Sequence, residues 1–231
     1  MKKLLLIILI VAFVSLATAM QSSALTISAT ERGTYISSGI FGSGGSGDAD
    51  GNYLTGVYHI GGEYRSFFNF DLSSISGPIT SATLIISLDN TFGSSPPKIE
   101  TLGIFDYTGS ISDLIGNTGG VAAFTDLGTG TLYGSGSAST DATMGTMSIA
   151  FNAGGLSDMN AAIGGYFAVG GALTSLSGSI DEFLFGSSLG APLTLFELEV
   201  STVPVPEPTT MLLLGSGLIG LAGFRRKFRK R

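Results

Sequence analysis

Asp48-Ala49-Asp50-Gly51-Asn52 sets three oxygen-bearing side chains at alternate positions, a pattern in which loops hold calcium with carboxylate, amide and backbone oxygens. An EF-hand needs a glutamate twelfth in the loop, where His59 stands instead. The segment is then either a non-EF Ca2+ site on Asp48, Asp50 and Asn52 or a solvated acidic turn. Tyr53, Tyr58 and Tyr64 surround the glycine-rich turn that follows. Aromatic faces of this kind stack on sugar rings, and they equally decorate an ordinary sheet surface.

Catalytic constellations are weaker. His59 is the single histidine, so a Ser-His-Asp triad would depend on it alone. His59 and Glu63 have the i,i+4 spacing of a helical zinc pair, but Gly61-Gly62 between them discourages the helix. Ser95-Pro96-Pro97-Lys98 spells Ser-x-x-Lys, which needs both side chains on one helical face, whereas two prolines favour an extended turn. Glycoside hydrolysis could draw on any two carboxylates, and sequence does not pair them. No catalytic residue is assigned, the chain is expected to be no enzyme, and apart from Ca2+ no cofactor is expected.

Charge narrows the partners. Eight of the basic residues lie at the two ends, leaving Arg32, Arg65 and Lys98 in residues 25–203 against 16 acidic side chains, a formal charge of −13 for that stretch. Such a surface repels a polyanion, which excludes nucleic acid as a partner. It suits a soluble exported protein and attracts divalent cations. There is no cysteine, so after export no disulfide supplements the core and stability rests on burial.

Stretches of period-two or β-rich sequence occur at 25–29, 34–37, 66–72, 83–88, 99–107, 144–151, 166–169, 182–185 and 193–200. In one of them Phe68, Phe70 and Leu72 fall on a single face. Helical signals are confined to 110–115 and 156–163, the second ended by Gly164-Gly165. Glycine-rich segments at 39–47 and 128–139 read as surface loops between strands. Many short strands joined by Gly/Ser turns describe an all-β fold, an antiparallel β-sandwich that is jelly-roll-like. The domain spans 25–202, because Val203-Pro204-Val205-Pro206 stops strand pairing and favours an extended spacer.

The ends are addresses. Lys2-Lys3 followed by an apolar run gives a signal peptide with two small-residue cleavage sites, Ala17-Thr18-Ala19 and Ser22-Ser23-Ala24. The second, after which Leu25-Thr26-Ile27-Ser28-Ala29 alternates as a strand, is favoured and bounds it at 1–24. At the other end come the spacer and tripeptide Pro206-Glu207-Pro208 (203–208), an uncharged apolar stretch (209–224) and a basic tail (225–231). As a helix, 209–224 rises ~24 Å, enough to span a locally thinned bilayer as a single transmembrane helix. The basic tail then stays cytoplasmic and everything between the two apolar segments lies outside.

This C-terminal arrangement resembles the PEP-CTERM sorting signal of exported bacterial proteins, carried by Pro206, Glu207, Pro208, the apolar small-residue helix and the terminal Arg/Lys cluster. The resemblance implies recognition and cleavage near the tripeptide by exosortase, working with the secretion machinery. It further implies transient inner-membrane anchoring, release to the cell surface or extracellular matrix, and association with exopolysaccharide. The phrase 67–75, followed by Ile79-Thr80-Ser81-Ala82-Thr83-Leu84, looks like the opening hairpin of jelly-roll modules in exported bacterial surface proteins, and transfers no site. The resulting expectation is a non-enzymatic surface or matrix protein, the alternatives being a carbohydrate-binding module and then a glycan-active enzyme.

Overall fold

The computed structural model describes residues 23–40, 52–59, 62–88, 92–96, 98–140, 145–186, 196–203, 214–218 and 220–221. The chain divides into two units, Ala24–Thr202 and the two terminal segments together. Within the terminal unit, residues 214–218, 220 and 221 are helical. Among the described residues no helix is long and apolar enough to cross a membrane. Most of the expected signal peptide and of the 209–224 span, and the tripeptide 206–208, lie outside the described residues.

Ala24–Thr202 is built from β1 (Ser23–Ile36), β2 (Thr55–Tyr58), β3 (Gly62–Asp71), β4 (Ile79–Ser87), β5 (Phe92–Ser94), β6 (Ile99–Asp106), β7 (Leu132–Ser139), β8 (Thr146–Ala150), β9 (Tyr166–Leu173), β10 (Glu182–Gly186) and β11 (Phe196–Thr202). Three short helices interrupt them: α1 (Ile111–Ile115), α2 (Gly120–Asp126) and α3 (Ala153–Ala161). Every strand pairing with a recorded register is antiparallel. β11, β4 and β8 form one layer. β1, β3, β9, β6 and β7 form the other, extended by β2, β10 and β5. β1 and β11 join the two layers, an arrangement consistent with a β-sandwich.

Alternation fills the space between the layers. Leu84 and Ile86 from β4, Leu198 and Val200 from β11 and Ile149 from β8 meet Phe68, Phe70, Leu102, Ile104 and Val169 from the larger sheet. β3 buries side chains on both faces because α1 and α2 cover part of its outer side: Phe67 joins Tyr35, Leu114, Phe124 and Leu127 in a second cluster. Phe68 stacks on Phe196 at 5.0 Å between ring centroids. Beside them the fully buried Arg32 holds its guanidinium 5.3 Å from the Tyr53 ring and 5.4 Å from Phe196, so the aromatic faces accommodate a cation inside the core.

Three expectations change. Residues 67–84 form no hairpin: β3 pairs with β1, β2 and β9, while β4 pairs with β11 and β8, so the connection crosses from one layer to the other. Residues 25–29 and 34–36 belong to one strand, β1, with an irregularity between Ala29 and Glu31, not to two. Residues 132–139, expected as part of a loop, form β7, pairing with β6. Glycine is what lets β7 lie close to β8: a Cβ at Gly134 would sit 2.4 Å from the Ala150 carbonyl oxygen, and one at Gly136 would sit 2.8 Å from Ile149. Of the 39–47 segment, 41–47 lies outside the described residues.

Candidate functional site

A recess lies on the outer, helical side of the larger sheet. A cleft of about 540 Å³ is lined by Tyr107, Ser110, Asp113, Val121, Thr125 and Asp126, among others. The chain leaves β6 at Asp106, and Ser110 caps α1 by accepting from the Asp113 N–H at 3.2 Å. Two side chains from the sheet hold the helices down. Tyr35 Oη donates to the Leu114 carbonyl at 2.8 Å. Arg65 donates to the Phe124 and Thr125 carbonyls at 3.1 and 2.9 Å, with its guanidinium 4.3 Å above the Phe124 ring. These carbonyls belong to the last turn of α2, where a cation satisfies acceptors that the helix itself leaves open.

The carboxylates of the cleft are engaged. Asp126 Oδ2 accepts from the Thr108 and Gly109 N–H groups at 2.8 and 3.0 Å, and Oδ1 accepts from Thr108 Oγ1 at 3.1 Å. Asp113 Oδ1 accepts from Thr118 Oγ1 at 3.1 Å. Tyr107 lies between them. Burial, then the nearby Tyr35, Asp126 and Asp113, push its phenol up to about 12. A neutral phenol beside two carboxylates and several hydroxyls is a hydrogen-bonding wall with one aromatic side.

The tyrosines singled out by sequence do not form one face. Tyr53 is fully buried, its ring 4.5 Å from Phe196 and 5.1 Å from Phe185. It presents nothing to a sugar, which corrects the expectation for that residue. Burial pushes its phenol strongly up, with Arg32 partly opposing. Tyr64 is buried beside Leu54 and Phe183, and Tyr58 is half-buried, edge-on to Phe183 at 5.2 Å. Packing wins because β10 pairs with β2 in the sheet and sets Phe183 against Tyr64 and Tyr58. Asp48 and Asp50 lie outside the described residues; Asn52 Oδ1 accepts from the Leu54 N–H at 3.0 Å, closing a local turn. Among the described residues no three acidic or imidazole groups gather as a metal cluster.

His59 pairs with Asp181, Nδ1 to Oδ1 at 2.8 Å, both partly exposed. Among the described residues no hydroxyl is hydrogen-bonded to it. Ser95 and Lys98 lie in a turn closed by the Lys98 N–H on the Ser95 carbonyl at 3.1 Å. Two glutamates are fully buried. Glu100 accepts from Ser175 Oγ, and Glu182 accepts from Ser177 Oγ, from the Ser177 N–H at 2.8 Å and from the Gly178 N–H at 3.2 Å. Burial raises the Glu182 carboxyl, and the hydrogen bonds from Ser177, Gly178 and Ser179 outweigh it, leaving it below its ordinary value. Both carboxylates fasten the serine-rich segment between β9 and β10.

Sequence reasoning overlooked two features. The cleft carries a local signal in Ser110-x-x-Asp113, a helix cap next to an acidic residue, but Asp126 joins it only through the fold. Gly186-Ser187-Ser188-Leu189-Gly190 spells the Gly-x-Ser-x-Gly of a nucleophile elbow. Nine residues including Pro192 separate β10 from β11, too few for the helix such an elbow requires; 187–190 lie outside the described residues.

The fold is thus an antiparallel β domain followed directly by a targeting segment. Residues 204–227 match the PEP-CTERM protein-sorting motif, which implies export and exosortase processing. No curated protein matches the chain.

Proposed function

We propose that this chain is a surface or extracellular-matrix protein without enzymatic activity or cofactor, delivered by its C-terminal signal and associated with exopolysaccharide. Residues 1–24 direct export and are removed. Residues 209–224 hold the precursor in the inner membrane until exosortase cuts near Pro206-Glu207-Pro208. The match at 204–227 carries this reading. The formal charge of −13 on residues 25–203 supports it, since a strongly acidic domain stays soluble once released. Intact mass of the protein recovered outside the cell tests it: the expected species begins close to Leu25, ends close to the tripeptide and lacks 225–231. A secreted species that retains Arg231, or a chain confined to the cytosol, overturns it.

The cleft around Tyr107 supports a second reading, a carbohydrate-binding module. Its about 540 Å³ falls in the range of small-ligand sites, and its hydroxyls, carboxylates and phenol suit a polyhydroxylated ligand. Retention of the domain on purified exopolysaccharide that is lost in Tyr107→Ala supports this reading, and absence of retention removes it.

A further inference from the structure

Both ends of the domain leave it at the same end of the sandwich. Ala29 lies opposite Phe70 and Ile36 opposite Tyr64, so β1 begins beside the finish of β3. Tyr166, the first residue of β9, lies opposite Asp71, the last of β3. Residues 72–78 then carry the chain into β4, whose Ile79 lies opposite Thr202, the last residue of β11. Asn160, near the end of α3, fixes this corner by accepting from the Ile79 N–H at 2.8 Å and donating to its carbonyl at 2.9 Å. The start of β1, the 72–78 loop, the start of β9 and the finish of β11 therefore share one end.

β11 cannot peel away to lengthen the tether. It lies between β1 and β4, and Phe196, Leu198 and Val200 are buried in the core. Only residues 203–205 separate it from Pro206, a reach of ~9 Å at about 3.1 Å per extended residue. That is less than the thickness of two packed sheets, about 10 Å before their outer side chains are counted. An enzyme acting at the tripeptide must meet the folded domain.

The surface it meets has a character of its own. Leu25 and Tyr166 are 40% and 55% exposed. The adjoining loop, Ser73-Ser74-Ile75-Ser76-Gly77-Pro78, carries no charge, and the acid at its start, Asp71, lies opposite Tyr166 with its carboxylate accepting from the Ser73 N–H at 2.8 Å. We infer that this end, centred on Tyr166 and Ser73–Pro78, is a docking surface for the exosortase that processes the chain. The inference rests on the processing reading above. The occupant is the processing enzyme because only residues 203–205 separate this end of the domain from the tripeptide at which it cuts.

Pulse-chase measurement of precursor conversion in exosortase-producing cells tests it. Tyr166→Glu and, separately, Ser74→Glu are expected to slow conversion about tenfold, the effect of losing one contact of about 1.4 kcal/mol. Ile180→Glu, at the opposite end and 71% exposed, should convert at the wild-type rate. Inserting ~10 flexible Gly/Ser residues after Val203 adds an r.m.s. reach of ~15–20 Å and should slow the wild type to about the rate of the two variants, because the loosened tether no longer holds the surface against the enzyme. Wild-type conversion of both variants, or slow variants that the insertion restores to the wild-type rate, which would mean obstruction and not docking, overturns the docking surface. So does a matching loss of binding of the purified precursor to protein-free anionic vesicles, which would assign the surface to lipid. Failure of the wild-type chain itself to convert overturns the processing reading and the inference together.

Discussion

Between Val203 and Arg231 an acidic tripeptide bracketed by prolines, an apolar run and a basic end follow one another along the chain. In Ala24–Thr202 the groups that meet are distant in sequence: Tyr35 and Leu114 are 79 positions apart, Arg65 and Phe124 59, and Thr108 and Asp126 18. A signal of the first kind is read by another protein from residue order and needs no fold of its own. A cleft of the second kind exists only while the sandwich holds its parts together. Damage to the two regions should therefore separate cleanly, the first affecting delivery and the second stability.

The largest separation is expected from Glu207→Ala. Loss of the tripeptide's charge should leave the membrane-bound precursor uncut, while the melting of the domain changes by less than about 0.5 kcal/mol, as for a substitution away from the core. Immunoblotting of membrane and external fractions, alongside thermal denaturation, measures both arms. Normal maturation of this variant would break the comparison, since the tripeptide would then not be what is read.

Phe68→Ala probes the other region. Phe68 is fully buried between Phe196 and Tyr53, and truncating such a ring costs about 3–5 kcal/mol. For a domain of this size that lowers Tm by roughly 6–20 °C. A loss no greater than that of an exposed substitution would mean that the layers do not meet through this residue.

The same contrast governs what the sequence discloses. β3 is legible because Phe68, Phe70 and Leu72 alternate onto one face, and α1 because Ser110 precedes Asp113 at capping distance. β7 is not, since the glycines at 134 and 136 that fit it against β8 are also the residues that make it read as a loop. Tyr53, Tyr58 and Tyr64 share a segment and a chemistry in sequence, yet burial sends Tyr53 inward against Phe185 and Phe196. Nothing local marks that choice. The cleft is least legible of all: Ser110 and Asp113 come from α1, Asp126 from the end of α2, and Tyr107 from the turn after β6, joined by tethers from Tyr35 and Arg65.

Asp126→Ala sharpens the account of that cleft with a smaller effect. Removing the acceptor for the Thr108 and Gly109 N–H groups should cost about 1 kcal/mol, because water replaces part of what is lost. Tyr107 gives the more specific readout. Its phenol is raised to about 12 by burial first, then by Tyr35 and the carboxylates of Asp126 and Asp113. Losing one negative neighbour makes the tyrosinate less costly, so ultraviolet titration should show one phenol ionising at lower pH than in the wild type. In the wild type, stability should fall as pH rises from about 10 towards about 12, since the unfolded phenol releases its proton first. An unchanged titration in the variant would show that Asp126 does not act on Tyr107.

The smallest effect is expected at the His59–Asp181 pair. Hydrogen bonding from the His59 side chain is the main influence, burial opposes it, and the His59 backbone N–H and imidazole charge reinforce it, so the Asp181 carboxyl lies below its ordinary 3.8. A carboxyl depressed on folding contributes stability that is complete above its unfolded value and disappears as pH falls through the folded one. Asp181→Asn should therefore melt slightly below the wild type at about pH 5, where aspartate is ionised in both states. The difference should close as the solution is acidified below the ordinary aspartate value. Because both side chains are partly exposed, added salt should shrink it as well. A gap that persists unchanged into acid would assign the role of Asp181 to a contact indifferent to charge, and would place the hairpin turn at His59 with the tightly packed part of the domain.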